Sequence, residues 1–272
     1  MAPDELPRIG FGTLRIGDST EVVETVSQAI EVGYRHIDNA QKYDNQEAVG
    51  DGIAEADIPR EQLFIASKVN ESNLAYEDVL ETTRETRDAL GVDTIDLHYV
   101  HWPAISGEED RYDPEETIPA FNELLKEGVI DRVGVANFDV DLIEEAQMLF
   151  DAPIFANQVE MHPLLQQEEL VVYAQENDMY LVAYSPLIRG EVDEIPDLRE
   201  IARKYDATPA QVSLAWLMSI DNVVPIPKAT GDHIRENYHA LDLKLDPEDI
   251  DRIESIERER RIVDRGKGPW QW

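Results

Sequence analysis

Eight short apolar runs, each followed by a longer stretch of helical periodicity, constrain this chain more than any single motif in it. The runs lie near residues 8–13, 34–38, 63–68, 94–101, 131–136, 154–160, 180–185 and 222–227. Strands that alternate with helices are what repeated βα units around a parallel sheet require, because each crossover must carry the chain back over a sheet face. In 19–32, Val22, Val23, Val26, Ala29 and Ile30 recur at helical spacing, with Ser19 or Thr20 able to cap the start and Gly33 the end. Residues 76–90 form a second such stretch, closed by Gly91. Two helices are expected between the last two strands, at 195–206 and 209–220, with Thr208-Pro209 opening the second. Two more follow the eighth strand, near 232–239 and 247–257. No linker, low-complexity run or short-period repeat breaks the series. A chain of 272 residues also suits an eight-unit barrel of ~250 residues. One domain over residues 1–272, a (β/α)8 TIM barrel, is the expected fold.

Charge is the second strong signal. The chain carries 58 Asp and Glu against 24 Lys and Arg, seven of them lysine, for a formal net charge of -34. The acidity is spread along the sequence rather than gathered in a tail, and a core pattern survives beneath it. That favours adaptation to molar salt, as in a haloarchaeal-like source, over a disordered acidic segment. It argues against nucleic acid as a partner, since neutralising phosphate needs a basic face. There is no cysteine, hence no disulfide framework and no thiolate chemistry. The N-terminus lacks the basic start and apolar stretch of a signal peptide, and no segment reaches the ~18 apolar residues of a membrane span. A cytoplasmic protein with no membrane partner is expected, and a monomer.

Four reactive side chains stand at or just after the ends of separate runs. Asp38 ends Gly33-Tyr34-Arg35-His36-Ile37-Asp38, and Tyr43 follows five residues later. Lys68 closes Leu63-Phe64-Ile65-Ala66-Ser67-Lys68, and His101 closes Ile95-Asp96-Leu97-His98-Tyr99-Val100-His101. In a parallel barrel the C-terminal strand ends gather at one mouth, so residues distant in sequence can converge there. Tyrosine, with an unperturbed pKa of ~10, is a poor acid at neutral pH. To act as a proton donor it needs a cation within ~4–6 Å and little water. Lys68 can supply the cation, and Asp38 can hold it charged and aimed. His98 and His101 point to opposite faces of their strand, so His98 is assigned a structural role. Six scattered histidines, with an H-x-x-H spacing that cannot close on one ion from a strand, indicate no metal site.

Together with Val224-Pro225-Ile226-Pro227-Lys228, these motifs resemble the aldo-keto reductase family, in the expected order from about Leu6 to Asp251. The resemblance implies reduction of aldehydes and ketones to alcohols by hydride transfer from NAD(P)H. It makes Tyr43 the proton donor, Lys68 and Asp38 its tuning pair, and His101 the residue that orients the carbonyl. The family usually opens with a short β-hairpin over the barrel's N-terminal mouth. With about seven residues before Arg8-Ile9-Gly10-Phe11-Gly12-Thr13, that hairpin is expected to be absent or reduced.

The absence of a Gly-x-Gly-x-x-Gly motif opening a helix argues against a Rossmann site. The resemblance instead points to Gly12 and Thr13 for the cofactor, and to the amides of Asn137 and Gln158 for the nicotinamide carboxamide. It adds Tyr184 stacked on the ring, with Ser185 and Leu187 along the pyrophosphate. Ala136 stands where the family commonly has serine, which removes one hydroxyl contact. At the adenosine end, Lys228 matches the residue that grips the 2′-phosphate, and Glu236 and Asn237 match the pair that meets the adenine. The family's hydroxyl after the lysine and its arginine read Ala229 and His233 here, in a loop one residue shorter. Histidine is mostly neutral at pH 7 and lacks arginine's bidentate fork. Thr230 and backbone amides near Gly231 and Asp232 are the available compensation. NADPH is the favoured cofactor, with NADH the alternative.

Trp102, next to His101, is placed either to wall the substrate pocket or to pack in the rim. Arg15, expected at the substrate pocket, follows Thr13-Leu14 where many relatives carry an aromatic residue. Trp270 and Trp272 can fold over the mouth or pack on the barrel's side. The expected substrate is a small carbonyl compound: an aldehyde, an α-dicarbonyl or a keto sugar. The alternative function is a non-catalytic nucleotide-binding barrel serving as a regulatory or structural subunit. A sugar-processing barrel with paired carboxylates is disfavoured, because no such pair recurs at the strand ends.

Overall fold

The computed structural model describes residues 5–103, 112–263 and 269–271. Eight strands pair in parallel and in sequence order: β1 (Gly10–Gly12), β2 (His36–Asp38), β3 (Phe64–Val69), β4 (Leu97–Val100), β5 (Val133–Ala136), β6 (Ile154–Glu160), β7 (Tyr180–Tyr184) and β8 (Val223–Pro225). The Gly12 amide donates to the Pro227 carbonyl at 3.1 Å, which closes the eighth strand on the first. The fold is the (β/α)8 barrel that the alternation of runs and amphipathic stretches requires.

Helices α1 (Ser19–Val32), α2 (Gln46–Glu55), α3 (Tyr76–Ala89), α4 (Pro114–Glu127), α5 (Val140–Gln147), α6 (Glu168–Glu176), α7 (Pro196–Tyr205), α8 (Pro209–Leu217), α9 (Asp232–Tyr238) and α10 (Pro247–Glu254) accompany the strands. The cap of α1 is Asp18 rather than Ser19 or Thr20. Its carboxylate accepts from the Glu21 amide at 3.1 Å, and the Glu21 carboxylate accepts from the Asp18 amide at 3.1 Å, a reciprocal box that neither hydroxyl can complete. Thr208 opens α8 through the same device with Gln211. Gly33 ends α1 at φ 131°, a conformation costly for any residue with a Cβ.

Strand side chains alternate between two buried layers. The outer set, including Ile37, Ile65, Val100, Val135 and Leu181, packs with the inner faces of helices through Val26, Ile30, Phe121, Leu124 and Trp216. The inner set, Phe64, Ala66, Leu97, Tyr99, Ala156, Val182, Val224 and Ile226, fills the barrel lumen. Tyr99 fits only because Gly134 stands on the adjoining strand, where a Cβ would lie 2.5 Å from its ring.

No strand precedes β1 among the described residues, so the capping hairpin is missing from them. Its place at the N-terminal end is taken by Leu6, buried against the lumen residues, and by an aromatic stack. Phe64 and Phe155 lie 6.0 Å apart and Phe155 and Tyr180 5.2 Å apart, with the Arg132 guanidinium 5.1 Å from the Phe155 ring. This closes one end and leaves the polar ends of the strands at the other. No described helix is long and apolar enough to cross a membrane.

Candidate active site

The inward alternation that packs Phe64 and Ala66 makes Lys68 the next lumen residue on β3, at the mouth. There its side chain is only 1% exposed. Its ammonium donates to Asp38 Oδ1 at 2.5 Å and to the Asn39 carbonyl at 2.8 Å, and lies 3.4 Å from the Tyr43 hydroxyl. Burial pulls the lysine's pKa down, but the Asp38 carboxylate and Tyr43 together more than offset it, leaving it above its ordinary value. The second Asp38 oxygen accepts from Gln158 Nε2 at 2.7 Å. The Tyr43 and His101 rings stand edge to face with centroids 6.2 Å apart. Asp38, Tyr43, Lys68 and His101 thus meet at the barrel mouth, from β2, the turn after it, β3 and the end of β4.

Several residues outside those expected from sequence brace this group. Gln41 pins the turn that carries Tyr43: its carbonyl oxygen accepts from the Asn70 amide at 2.8 Å, and its amide donates to Thr82 and Thr86 on α3. Lys42 pairs with the buried Glu71. Asn39 Nδ2 donates to Thr13 Oγ1 and to Asn45 Oδ1, both at 2.9 Å, while the Thr13 hydroxyl donates to the Asp38 carbonyl at 2.9 Å. Thr13 therefore stiffens the backbone under Asp38. His98 faces outward, its Nε2 3.1 Å from Thr83 Oγ1 on α3, away from the mouth.

The other side of the mouth is built from amides and an aromatic ring. Asn137, with φ 65°, turns the chain after β5, donates to the His101 carbonyl at 3.0 Å and accepts from the Tyr184 hydroxyl at 2.8 Å. Tyr184 is half-buried at the end of β7, and Ser185 turns the chain there at φ 52°. Leu187 is half-buried just beyond. Past β8, Lys228 and Thr230 are exposed and Ala229 is buried. His233 is exposed too, but its Nδ1 lies 2.6 Å from Glu236 Oε2, so these two engage each other on α9. Asn237 is buried on the same helix. Arg15 is exposed with φ 56°.

Trp102 is buried, and Trp270 meets it with ring centroids 5.8 Å apart and the Arg261 guanidinium 3.7 Å from the Trp270 ring. Of the two C-terminal tryptophans, Trp270 therefore lies at the mouth, and Trp272 falls outside the described residues. A mouth with buried amides, a half-exposed phenol ring and an exposed lysine beyond it suits a nicotinamide dinucleotide: amide partners for a carboxamide, a stacking face, and a cation for phosphate.

A family model described as the Aldo/keto reductase family matches residues 8–258. The chain belongs to the aldo/keto reductase family. Glyoxal reductase of Bacillus subtilis (strain 168) is 39% identical over 261 residues, 95% of this chain and 91% of that protein. Methylglyoxal reductase DkgB of Escherichia coli O157:H7 is 36% identical over 260 residues, 95% of this chain and 96% of its own length. Bombyx mori aldo-keto reductase, solved in complex with NADP, matches with a TM-score of 0.89 at 31% identity, covering 96% of this chain and 92% of that one. This aldo-keto reductase is an NAD(P)H-dependent enzyme that reduces carbonyl groups.

Proposed function

We propose that this aldo-keto reductase reduces small α-dicarbonyls and simple aldehydes at the mouth built by Asp38, Tyr43, Lys68 and His101. The observation that carries the assignment of roles is the buried Lys68 ammonium held between the Asp38 carboxylate and the Tyr43 hydroxyl. A reduced nicotinamide held at this mouth would supply the hydride for the carbonyl carbon. Tyr43 gives its hydroxyl proton to the carbonyl oxygen, and the adjacent ammonium stabilises the phenolate left behind. Asp38 keeps that ammonium charged and fixed. His101, its ring edge to face with that of Tyr43, orients the carbonyl, and Trp102 with Trp270 limits the pocket. Two of the relatives, a glyoxal reductase and a methylglyoxal reductase, support the choice of α-dicarbonyls.

For the cofactor, Gly12, Thr13, Asn137, Gln158, Tyr184, Ser185 and Leu187 form the nicotinamide and pyrophosphate side. Lys228 and Thr230 would meet the 2′-phosphate, and Glu236 and Asn237 the adenine. NADPH is preferred, by a margin narrowed because His233 is tied to a carboxylate. The net charge of -34 supports a protein that works in concentrated salt. The direct test follows loss of reduced-nicotinamide absorbance with methylglyoxal and a nitrobenzaldehyde, at high salt, with NADPH and NADH in parallel. Turnover with both carbonyls is expected, faster at limiting NADPH than at limiting NADH. Binding of either cofactor without turnover of any carbonyl would overturn the assignment.

A further inference from the structure

Glu160, at the end of β6, is fully buried, yet it takes no part in the catalytic group described above. It is the next inward position after Gln158 on the same strand, so strand alternation delivers a carboxylate to the mouth. Its oxygens are directed at the C-terminal segment. Oε1 accepts from the Ile262 amide at 2.6 Å and lies 2.9 Å from His162 Nε2, while Oε2 accepts from the Val263 amide at 2.7 Å. The neighbouring link repeats the theme: the Arg260 amide donates to the Leu164 carbonyl at 2.7 Å, and the Arg260 guanidinium pairs with Glu191. Arg261, between these anchors, lays its guanidinium on the Trp270 ring, and Trp270 meets Trp102, the residue directly after His101.

We propose that Glu160 is a positioning residue, whose carboxylate fixes residues 260–263 so that Arg261 and Trp270 complete the far wall of the substrate pocket against Trp102. Two consecutive backbone amides from a segment a hundred residues away converge on one carboxylate, and an ionised carboxylate is the side chain that accepts from both at once. Burial raises the Glu160 pKa, but the bonds from His162, Ile262 and Val263 more than offset this and hold the carboxyl below its usual range. A purely structural tie would stop at the tail. This one continues through Arg261 and Trp270 to Trp102, so its loss should be felt by substrates large enough to reach that wall. The inference rests on the reading of this mouth as the carbonyl-reducing site.

Two variants separate the possibilities. Glu160→Gln leaves one acceptor oxygen and turns an NH2 toward the other amide. Val263→Pro removes one donor from the tail and leaves the barrel untouched, so it reports even where the first variant folds poorly. In both, amide exchange over residues 260–262 should accelerate by about tenfold or more, and KM for phenylglyoxal should rise at least about fivefold, with kcat within about twofold. KM for methylglyoxal, too small to touch the tryptophan wall, should stay within about twofold. Unchanged exchange, or released tails with the same KM for both dicarbonyls, would overturn the proposal. Faster exchange in variants of an enzyme that reduces no carbonyl at all would leave the tie intact and strike the catalytic reading instead.

Discussion

An ammonium taken out of water loses hydration worth several kcal/mol, so the interior position of Lys68 has to be repaid by partners. Asp38 at 2.5 Å and the Asn39 carbonyl at 2.8 Å return that energy and leave the remaining proton side toward Tyr43. The same arrangement separates chemistry from stability. Tyr43→Phe removes the proposed proton donor and one weak contact, so turnover of a nitrobenzaldehyde should fall by about 100-fold or more while cofactor affinity stays within about twofold. Wild-type turnover in that variant would remove Tyr43 from the mechanism. Asp38→Asn, by contrast, strands a buried cation. It should cost about 3–5 kcal/mol of stability, seen as a lower denaturation midpoint, and Lys68→Met, which strands the buried Asp38 carboxylate in turn, should abolish activity at a similar stability cost. At the other end of the proposed cofactor site, Lys228 is exposed and can approach phosphate freely. Lys228→Ala should raise Kd for NADPH by about tenfold and leave NADH within about twofold, as judged by quenching of tryptophan fluorescence. His233→Arg should move preference toward NADPH, because arginine stays charged even beside Glu236. Equal losses for both cofactors in the lysine variant would remove it from the phosphate site.

At the scale of the elements, legibility followed periodicity. Strand β6 matches the expected 154–160, and α1 matches 19–32, because an alternating or helical apolar pattern is a local property of the chain. Expected strand 94–101 shortens to Leu97–Val100, since Ile95 makes only an isolated bridge to Ile130 before regular pairing begins. The Asp38, Lys68 and His101 positions were readable because each ends a run, and Tyr43 because it shares a motif with Asp38. Glu160 carried the same period-two signal two residues after Gln158, but its partners lie a hundred residues away and leave no local trace. The engagement of His233 with Glu236 was equally hidden, because the charge-poor fork could be read but not the carboxylate that would turn to meet it. Two histidines on the strands add a prediction about acid. His36 on β2 is pushed down to about 4 by burial, with Asp38 opposing and Lys68 adding; His98 on β4 is pushed down to about 3, chiefly by burial. Both are neutral in the fold and take up protons below about 6.5 once unfolded, so their contribution is whole above that pH and drains as pH falls toward 4. At pH 5.5 each should already cost about 1.4 kcal/mol relative to pH 8, about 3 kcal/mol together. Glu160 acts in the same direction further down, its stabilisation present above the usual carboxylate range and lost below it. Denaturant midpoints at pH 8 and 5.5, in constant salt, check this. Equal stability at the two values would mean the rings are not held neutral.

For the molecule as a whole, the dominant quantity is the excess of carboxylates, 58 against 24 basic residues. The basic groups are shared thinly. Lys204 serves both Asp246 and Asp249, and Arg252 serves both Asp197 and Glu200, so local pairing cannot neutralise the surface. Folding confines the remaining charges in a small volume, and their mutual repulsion lowers stability most where screening is weak. The Debye length falls from ~10 Å at 0.1 M to ~3 Å at 1 M, so screening is largely complete within the first few tenths molar. Any gain beyond that must come from stronger apolar burial as ions are excluded from the surface, or from ions bound by the folded carboxylates. Thermal unfolding followed from 0.1 to 3 M KCl distinguishes these. Tm should climb steeply to about 0.5 M and then continue upward with a shallower slope, and turnover of methylglyoxal should rise over the same range. A plateau after the first rise would limit the role of salt to screening. A Tm that is flat or falling throughout would mean that the acidity serves solubility alone, and adaptation to concentrated salt would have to be given up.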